Sequence, residues 1–348
     1  MSLSTPLASA SYTFDPRPNH QLLVTAKRYW DPSSPYLSDD ADDAYTLVFA
    51  HATGFHKEQY EPTIEDLYAL ASESKLGPKL KIRDVWALDA PNCGEAADLN
   101  EETLRWGYEP VFAWQEYARA IHAFLTGAGT GLGDAVDFSR RRVVLVGHSW
   151  AANAHVLALT FQPAIQPAML ILLEPMCLRV QDSASVRKLL AGGSENRRDI
   201  WASREAAYEQ FKSRAPWKNW DPRVLKTFVE HGLRPLPSLE YPDKEGVTLR
   251  CTRAQETATY RDAHGSATVY RLIKHIVKRV PTHIIYGAVD DYIPRPVKDA
   301  FIESGVGGER SLASLTRIPG AGHLAAQTHP QALAQTIAGI LAQRVAKL

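Results

Sequence analysis

Short apolar runs rich in β-branched residues recur along the chain at residues 22–25, 45–49, 82–88, 143–146, 169–173, 283–286 and 315–318. Segments of helical character separate them. Runs of this kind, alternating with helices, predict a mostly parallel sheet covered on both faces. Several runs end in loops rich in Gly, Pro, His or Asp, which places those residues along the C-terminal rim, where open α/β sheets bind ligands. One stretch breaks the alternation. Residues 176–280 separate two expected strands and are far longer than an ordinary βα connection. They carry helix-start signals at Ser203 and at Asp221-Pro222, and a proline-rich linker over 233–246. The expected organisation is a core of residues 1–175 and 281–348 with a helical lid of 176–280 inserted over the rim.

The run at 143–146 leads directly into Gly147-His148-Ser149-Trp150-Ala151, followed by a helix-forming segment. Strand, sharp turn and helix make a G-x-S-x-G pattern into a nucleophile elbow, in which the serine takes a strained backbone and stands clear of the sheet. Ala151 departs from the pattern, since alanine tolerates positive φ less well than glycine. Serine needs a base. His323, in Pro319-Gly320-Ala321-Gly322-His323 after the last expected strand, stands in the order Ser…acid…His. Two carboxylates compete to orient it: Asp290 after the penultimate strand, and Glu174 after the strand that follows the serine's helix. Asp291 reads as a solvated neighbour. The expected oxyanion donors are the N–H groups of Trp150 and of Thr53, in the loop after residues 45–49, with Gly54 as the alternative donor. Gly54, His148 and Trp201 are expected to border the substrate, and His51 to support the loop. The lid aromatics Trp201, Phe211, Trp217, Trp220 and Phe228 read either as pocket wall or as packing. The lid bases Arg187, Lys188, Arg197, Arg198, Lys212, Arg214 and Lys218 read as a solvated face or as contacts to coenzyme A phosphates.

Composition narrows the classes. The 348 residues are 45% hydrophobic and 22% charged, with 39 basic and 39 acidic residues, so nothing marks a nucleic-acid surface. No apolar run approaches the ~20 residues that span a membrane. The histidines lack the spacing of a zinc site, and neither a dinucleotide nor a Walker motif follows a strand, so no metal or cofactor is expected. Cys93, Cys177 and Cys251 are an odd number without paired spacing, which fits reduced thiols. The chain ends in Ala346-Lys347-Leu348, a small-basic-Leu tripeptide of the type read by the peroxisomal import receptor.

With elbow, histidine loop, oxyanion loop and lid taken together, the sequence resembles the α/β-hydrolases over nearly its whole length. More narrowly, it resembles fungal peroxisomal members: the acyl-CoA hydrolase of mycophenolic acid biosynthesis, hydrolases of host-selective toxin pathways and the yeast peroxisomal lipase. The residues that carry this are His51-Ala-Thr-Gly-Phe-His-Lys-Glu-Gln-Tyr-Glu61, Leu172-Leu173-Glu174-Pro175, Arg197-Arg198-Asp199-Ile200-Trp201-Ala202-Ser203-Arg204-Glu205 and the Ala-Lys-Leu terminus. The resemblance implies an α/β-hydrolase fold with an eight-stranded, mostly parallel sheet and a helical lid. It also implies a serine hydrolase of the peroxisome, acting on an acyl-CoA thioester or lipophilic ester in lipid or secondary metabolism. In the mycophenolate branch an aspartate matches Glu174 as the triad acid. A lipase or lactonase, an acyltransferase with the same triad and a hydrolase-fold ligand receptor are the alternatives. Epoxide hydrolases and haloalkane dehalogenases need aspartate where Ser149 stands.

Overall fold

The computed structural model describes residues 6–38, 41, 43–72, 80–133 and 136–343. The C-terminal Ala346-Lys347-Leu348 lies outside them. Among the described residues the main sheet has eight strands: β1 (Ala8–Phe14), β2 (Val24–Trp30), β3 (Tyr45–Ala50), β4 (Ile82–Leu88), β5 (Arg142–His148), β6 (Met169–Leu173), β10 (Thr282–Gly287) and β11 (Ser314–Ile318). Three short strands, β7 (Ile200–Trp201), β8 (Leu233–Pro235) and β9 (Val247–Leu249), form a separate sheet in the lid. The main order is β1-β2-β4-β3-β5-β6-β10-β11, parallel from β4 to β11, with β2 antiparallel to β4 and β1 antiparallel to β2.

The near-continuous apolar reading of the central strands has a direct cause, because both faces are covered. Along β3, Leu47 and Phe49 point into one apolar cluster while Val48 and Ala50 point into the other. Val144 and Val146 of β5 alternate with Leu145 in the same way. Helices Glu61–Ser72 and Pro330–Gln343 pack together on the first face. Helices Trp114–Thr126, Trp150–Ala158 and Gly265–Ile276 cover the second.

Three local expectations are corrected. The chain enters the sheet earlier than expected, through β1, whose small and polar residues alternate in burial at an edge and carry no apolar run. The run at 22–25 continues as β2 through Lys27 and Arg28, whose charges are met by Glu61 and by the buried Asp84. Cys93, at the start of the helix after β4, is joined to Cys251, at the lid's return to the core, with Cα atoms 4.2 Å apart. A sequence separation of 158 conceals that pairing; Cys177 is buried and outside any disulfide.

The long segment between β6 and β10 does not form one unit. Helix Gly265–Ile276 packs on helix Trp150–Ala158 and contributes Val269, Ile273 and Ile276 to the core, so it serves as a crossover helix. The stretch before it builds its own apolar centre from Trp201, Phe211, Trp220, Val224, Leu225, Phe228, Leu233 and Leu249. That centre rests on Phe55 of the loop after β3 and on Leu324 beside His323. The lid therefore sits on the rim through the two loops that carry the candidate chemistry.

Candidate active site

Ser149 sits between β5 and helix Trp150–Ala158 with φ 60° and ψ −120°, the strained turn expected of an elbow. Gly147 makes it possible. A Cβ there would meet His155 Cδ2 at 2.6 Å and the Ala152 Cα at 2.7 Å, so strand and helix could not approach as they do. Ala151 is fully buried inside the first helical turn, with no positive φ. The departure from glycine is thus accommodated without strain. The Ser149 N–H bonds the Leu173 carbonyl at 2.9 Å, locking the elbow to the end of β6.

Glu174, the next residue after β6, also has a left-handed backbone, φ 46°. Its N–H donates to the Ile285 carbonyl, and its carboxylate is completely buried. Oε1 accepts from the Gly287 N–H at 2.6 Å and from Lys298 Nζ at 2.8 Å. Oε2 lies 3.1 Å from His323 Nδ1, and His323 Nε2 lies 3.1 Å from Ser149 Oγ. The structure thus aligns Ser149, His323 and Glu174. Burial pushes the Glu174 carboxyl up, but the bond and charge of His323, with Lys298 behind them, outweigh it and hold it at about 2. Its charge therefore stabilises the fold above the ordinary value of 4.5, and that contribution fades as pH falls from there through about 2.

Asp290 is exposed in the loop after β10, and the ring faces Glu174 instead. Asp291 has a task the sequence did not suggest. Its Oδ2 accepts the His323 N–H at 2.7 Å, and a Cβ at Gly322 would lie 2.1 Å from that oxygen. The histidine loop is pinned by this carboxylate. His148 is fully buried and donates from Nε2 to the His323 carbonyl at 2.8 Å. Desolvation, with the neighbouring His323 ring, lowers it to about 3, so it is a neutral prop beneath the histidine, away from the cavity. Trp201 is likewise removed from the cavity: it packs at a tilt against Phe211 within the lid's own centre. The expectation that these two border the substrate is corrected.

Thr53 and Gly54 do border the cavity, together with Ser149 and His323. The Trp150 N–H stands in the first turn of its helix, where no intrahelical acceptor exists. The loop carrying Thr53 is braced from beneath. His51 Nε2 accepts the Ala90 N–H at 2.9 Å and its Nδ1 donates to the Ala52 carbonyl at 2.8 Å, which fixes the neutral tautomer. Desolvation lowers that ring to about 4, in keeping with this. Lys57, fully buried, bonds Asp89 at 2.9 Å and Glu95 at 2.7 Å. Burial opposes its charge, yet Asp89, Glu58 and Glu95 together raise its pKa. Neither the lysine nor its acids stood out in the sequence, where a charged Lys-Glu pair reads as surface.

The cavity over Ser149 has a volume of about 470 Å³. Met176, Leu189, Leu190, Trp217, Trp220 and Phe228 give it a largely apolar wall, so three of the five lid aromatics face it and Trp201 and Phe211 pack. Of the lid bases, Arg197 enters the cavity wall, while Arg198 bonds Ile200 and Gln210. Arg187 bonds the Arg261 carbonyl, and Lys188, Lys212, Arg214 and Lys218 are exposed.

Among characterised proteins, type I acyl-CoA thioesterase mpaH of Penicillium brevicompactum is 29% identical over 223 residues, 63% of this chain and 47% of that protein. The mpaH protein of Penicillium roqueforti (strain FM164) is 25% identical over 237 residues, 67% of this chain and 50% of its own length. The chain thus spans about half the length of the curated relatives it matches. Of solved structures, the peroxisomal alpha-beta-hydrolase Lpx1 of Saccharomyces cerevisiae superposes with a TM-score of 0.71 at 19% identity, over 99% of this chain and 90% of that one. A thioesterase domain from the curacin biosynthetic pathway gives 0.63 at 14% identity, over 95% and 99%. At those identities the likeness is one of fold. Residues 47–336 match the profile of the alpha/beta hydrolase family, and with elbow, sheet order and lid all in place the chain belongs to that family.

Proposed function

We propose that this hydrolase works through Ser149 and an acyl-enzyme, cleaving an acyl-CoA thioester or a lipophilic carboxylic ester. The observation that carries this is the continuous bonded line from Glu174 through His323 to Ser149, opening into an apolar cavity. In this reading Ser149 Oγ attacks the carbonyl carbon while His323 Nε2 takes its proton. Glu174 holds the Nδ1–H tautomer and stabilises the imidazolium. The N–H groups of Trp150 and Thr53 bind the oxyanion. Collapse of the tetrahedral intermediate expels the leaving group either protonated by His323 or as a thiolate, in which case the imidazolium gives its proton to solvent and is neutral again. Water then repeats the sequence on the acyl-enzyme. Asp290 has no part in it. A thioester suits the site because its leaving thiolate departs without full protonation, and the similarity to the type I acyl-CoA thioesterases supports that choice. The Ala346-Lys347-Leu348 terminus supports residence in the peroxisome by way of the import receptor.

Free-thiol release from short, medium and aromatic acyl-CoAs, assayed beside matched simple esters, tests the substrate class. Turnover favouring acyl-CoAs and absent in Ser149→Ala is expected; serine-dependent ester cleavage with inert acyl-CoAs would instead make the protein a lipase or lactonase. In the same assay Glu174→Gln lowers kcat by about 10²–10⁴-fold, as the loss of a triad acid does, while Asp290→Asn stays within about twofold of the parent. Equal losses in the two amides would overturn the assignment of Glu174. For localisation, an N-terminal fluorescent fusion with the free C-terminus should colocalise with a peroxisomal marker and become diffuse when Ala346-Lys347-Leu348 is removed; a diffuse parent fusion would refute the targeting.

A further inference from the structure

Besides Ser149, His323 and the polar side chains of Thr53, Ser194, Tyr260 and Tyr292, the largely apolar cavity wall carries an ion pair placed by the lid. Arg197 follows lid helix Val180–Asn196, and Glu256 lies on helix Arg253–Arg261, which packs against it. Glu256 is 6% exposed, and its Oε2 touches Arg197 Nη2. The contact is not a well-directed hydrogen bond. Glu256 Oε2 and Arg197 Nη2 have each other as charged partners, while Arg197 Nε is buried without a hydrogen-bond partner among the described residues. Glu256 Oε1 has only a long bond, 3.4 Å, from the Tyr260 hydroxyl. Arg197 Nε and Glu256 Oε1 thus keep donor and acceptor capacity at the wall of a largely apolar cavity.

The position of this pair relative to the reacting groups is fixed by Gly54. That residue has φ +82°, and a Cβ on it would lie 3.0 Å from Glu256 Oε1. Glu256 therefore stands against the loop that carries Thr53, on the wall of the same cavity as Ser149.

Resting on the acyl-transfer reading of Ser149, we infer that Arg197 and Glu256 select acyl groups bearing a neutral hydroxyl on the carbons next to the reacting carbonyl. A hydroxyl matches both charges at once: its proton goes to Glu256, and its oxygen accepts from Arg197. The pair has no net charge, so it gives an ionised substituent no advantage. An unsubstituted alkyl chain covers both groups without bonding either, and leaving buried polar groups unpaired is how a site rejects the analogue that lacks the hydroxyl. The two residues contact the substrate away from the bonds that change, and they set specificity.

The test compares kcat/KM for 2-hydroxyacyl and 3-hydroxyacyl substrates with the unsubstituted acyl substrate of equal length, in whichever of the thioester or ester series the wild-type enzyme turns over. Wild type is expected to favour one hydroxyacyl isomer by roughly ten- to a hundredfold. The double variant Arg197→Met with Glu256→Leu brings that ratio near one, and Glu256→Gln lowers it and serves alone if the double variant does not fold. An equal ratio in wild type overturns the inference. So does a ratio that survives both substitutions, or a variant that loses thermal stability and slows on all substrates alike, since those mark a pair that merely ties two lid segments together. Absence of any Ser149-dependent turnover removes the underlying acyl-transfer reading instead, and this inference with it.

Discussion

The buried carboxylate of Glu174 is the constraint around which the rest of the site is arranged. An ionised group with no exposed surface needs compensating charge and hydrogen bonds, and here they come from three other parts of the chain. Glu174 follows β6 directly; the Gly287 N–H at the end of β10 and Lys298 of helix Arg295–Ala300 satisfy one oxygen, and His323 satisfies the other. Removing any of these partners would leave a buried charge short of compensation, so the carboxylate fixes the relative placement of the strand ends as firmly as it orients the ring. The neighbouring left-handed backbones at Ser149 and Glu174, linked through the Leu173 carbonyl, show where the chain bears the strain of that arrangement.

Around this centre the supporting residues divide by the loop they hold. Asp291 and His148 grip the histidine from its N–H and its carbonyl. His51, Lys57 and Asp89 hold the loop of Thr53 from below. The lid contacts both loops through its apolar centre, resting on Phe55 and Leu324, and so closes over the site without adding to the bonded line. Rigid placement of donors and acceptors before substrate arrives is what makes such a site effective, since no reorganisation is then needed at the moment of reaction.

What the sequence discloses follows the range of each interaction. The elbow is local, a strand-turn-helix within nine residues, and Ser149 could be read directly. His323 was legible from its glycine-bracketed loop and its order in the chain. The carboxylate that faces its ring was not, because whether Asp290 or Glu174 does so depends on which loop end turns toward the ring, and Glu174 does so across 149 residues of separation. Lys298 and Asp291 left no trace for the same reason: a lysine in an exposed-looking helix and an aspartate beside another aspartate both read as solvated. The central strands were found because burial on two faces writes itself as an apolar run, whereas β1, an edge strand of small residues, has no such signature. Trp201 and His148 carried chemically suggestive side chains whose burial in packing only tertiary structure could reveal.

The central claim is that Glu174 and His323 make Ser149 the nucleophile. The most direct measurement is peptide mapping by mass spectrometry after reaction with a fluorophosphonate, with the labelling rate followed by intact mass. The account predicts a single adduct on Ser149, formed slowly in Glu174→Gln and at the parent rate in Asp290→Asn. An unlabelled Ser149, or an adduct on another residue, would contradict it.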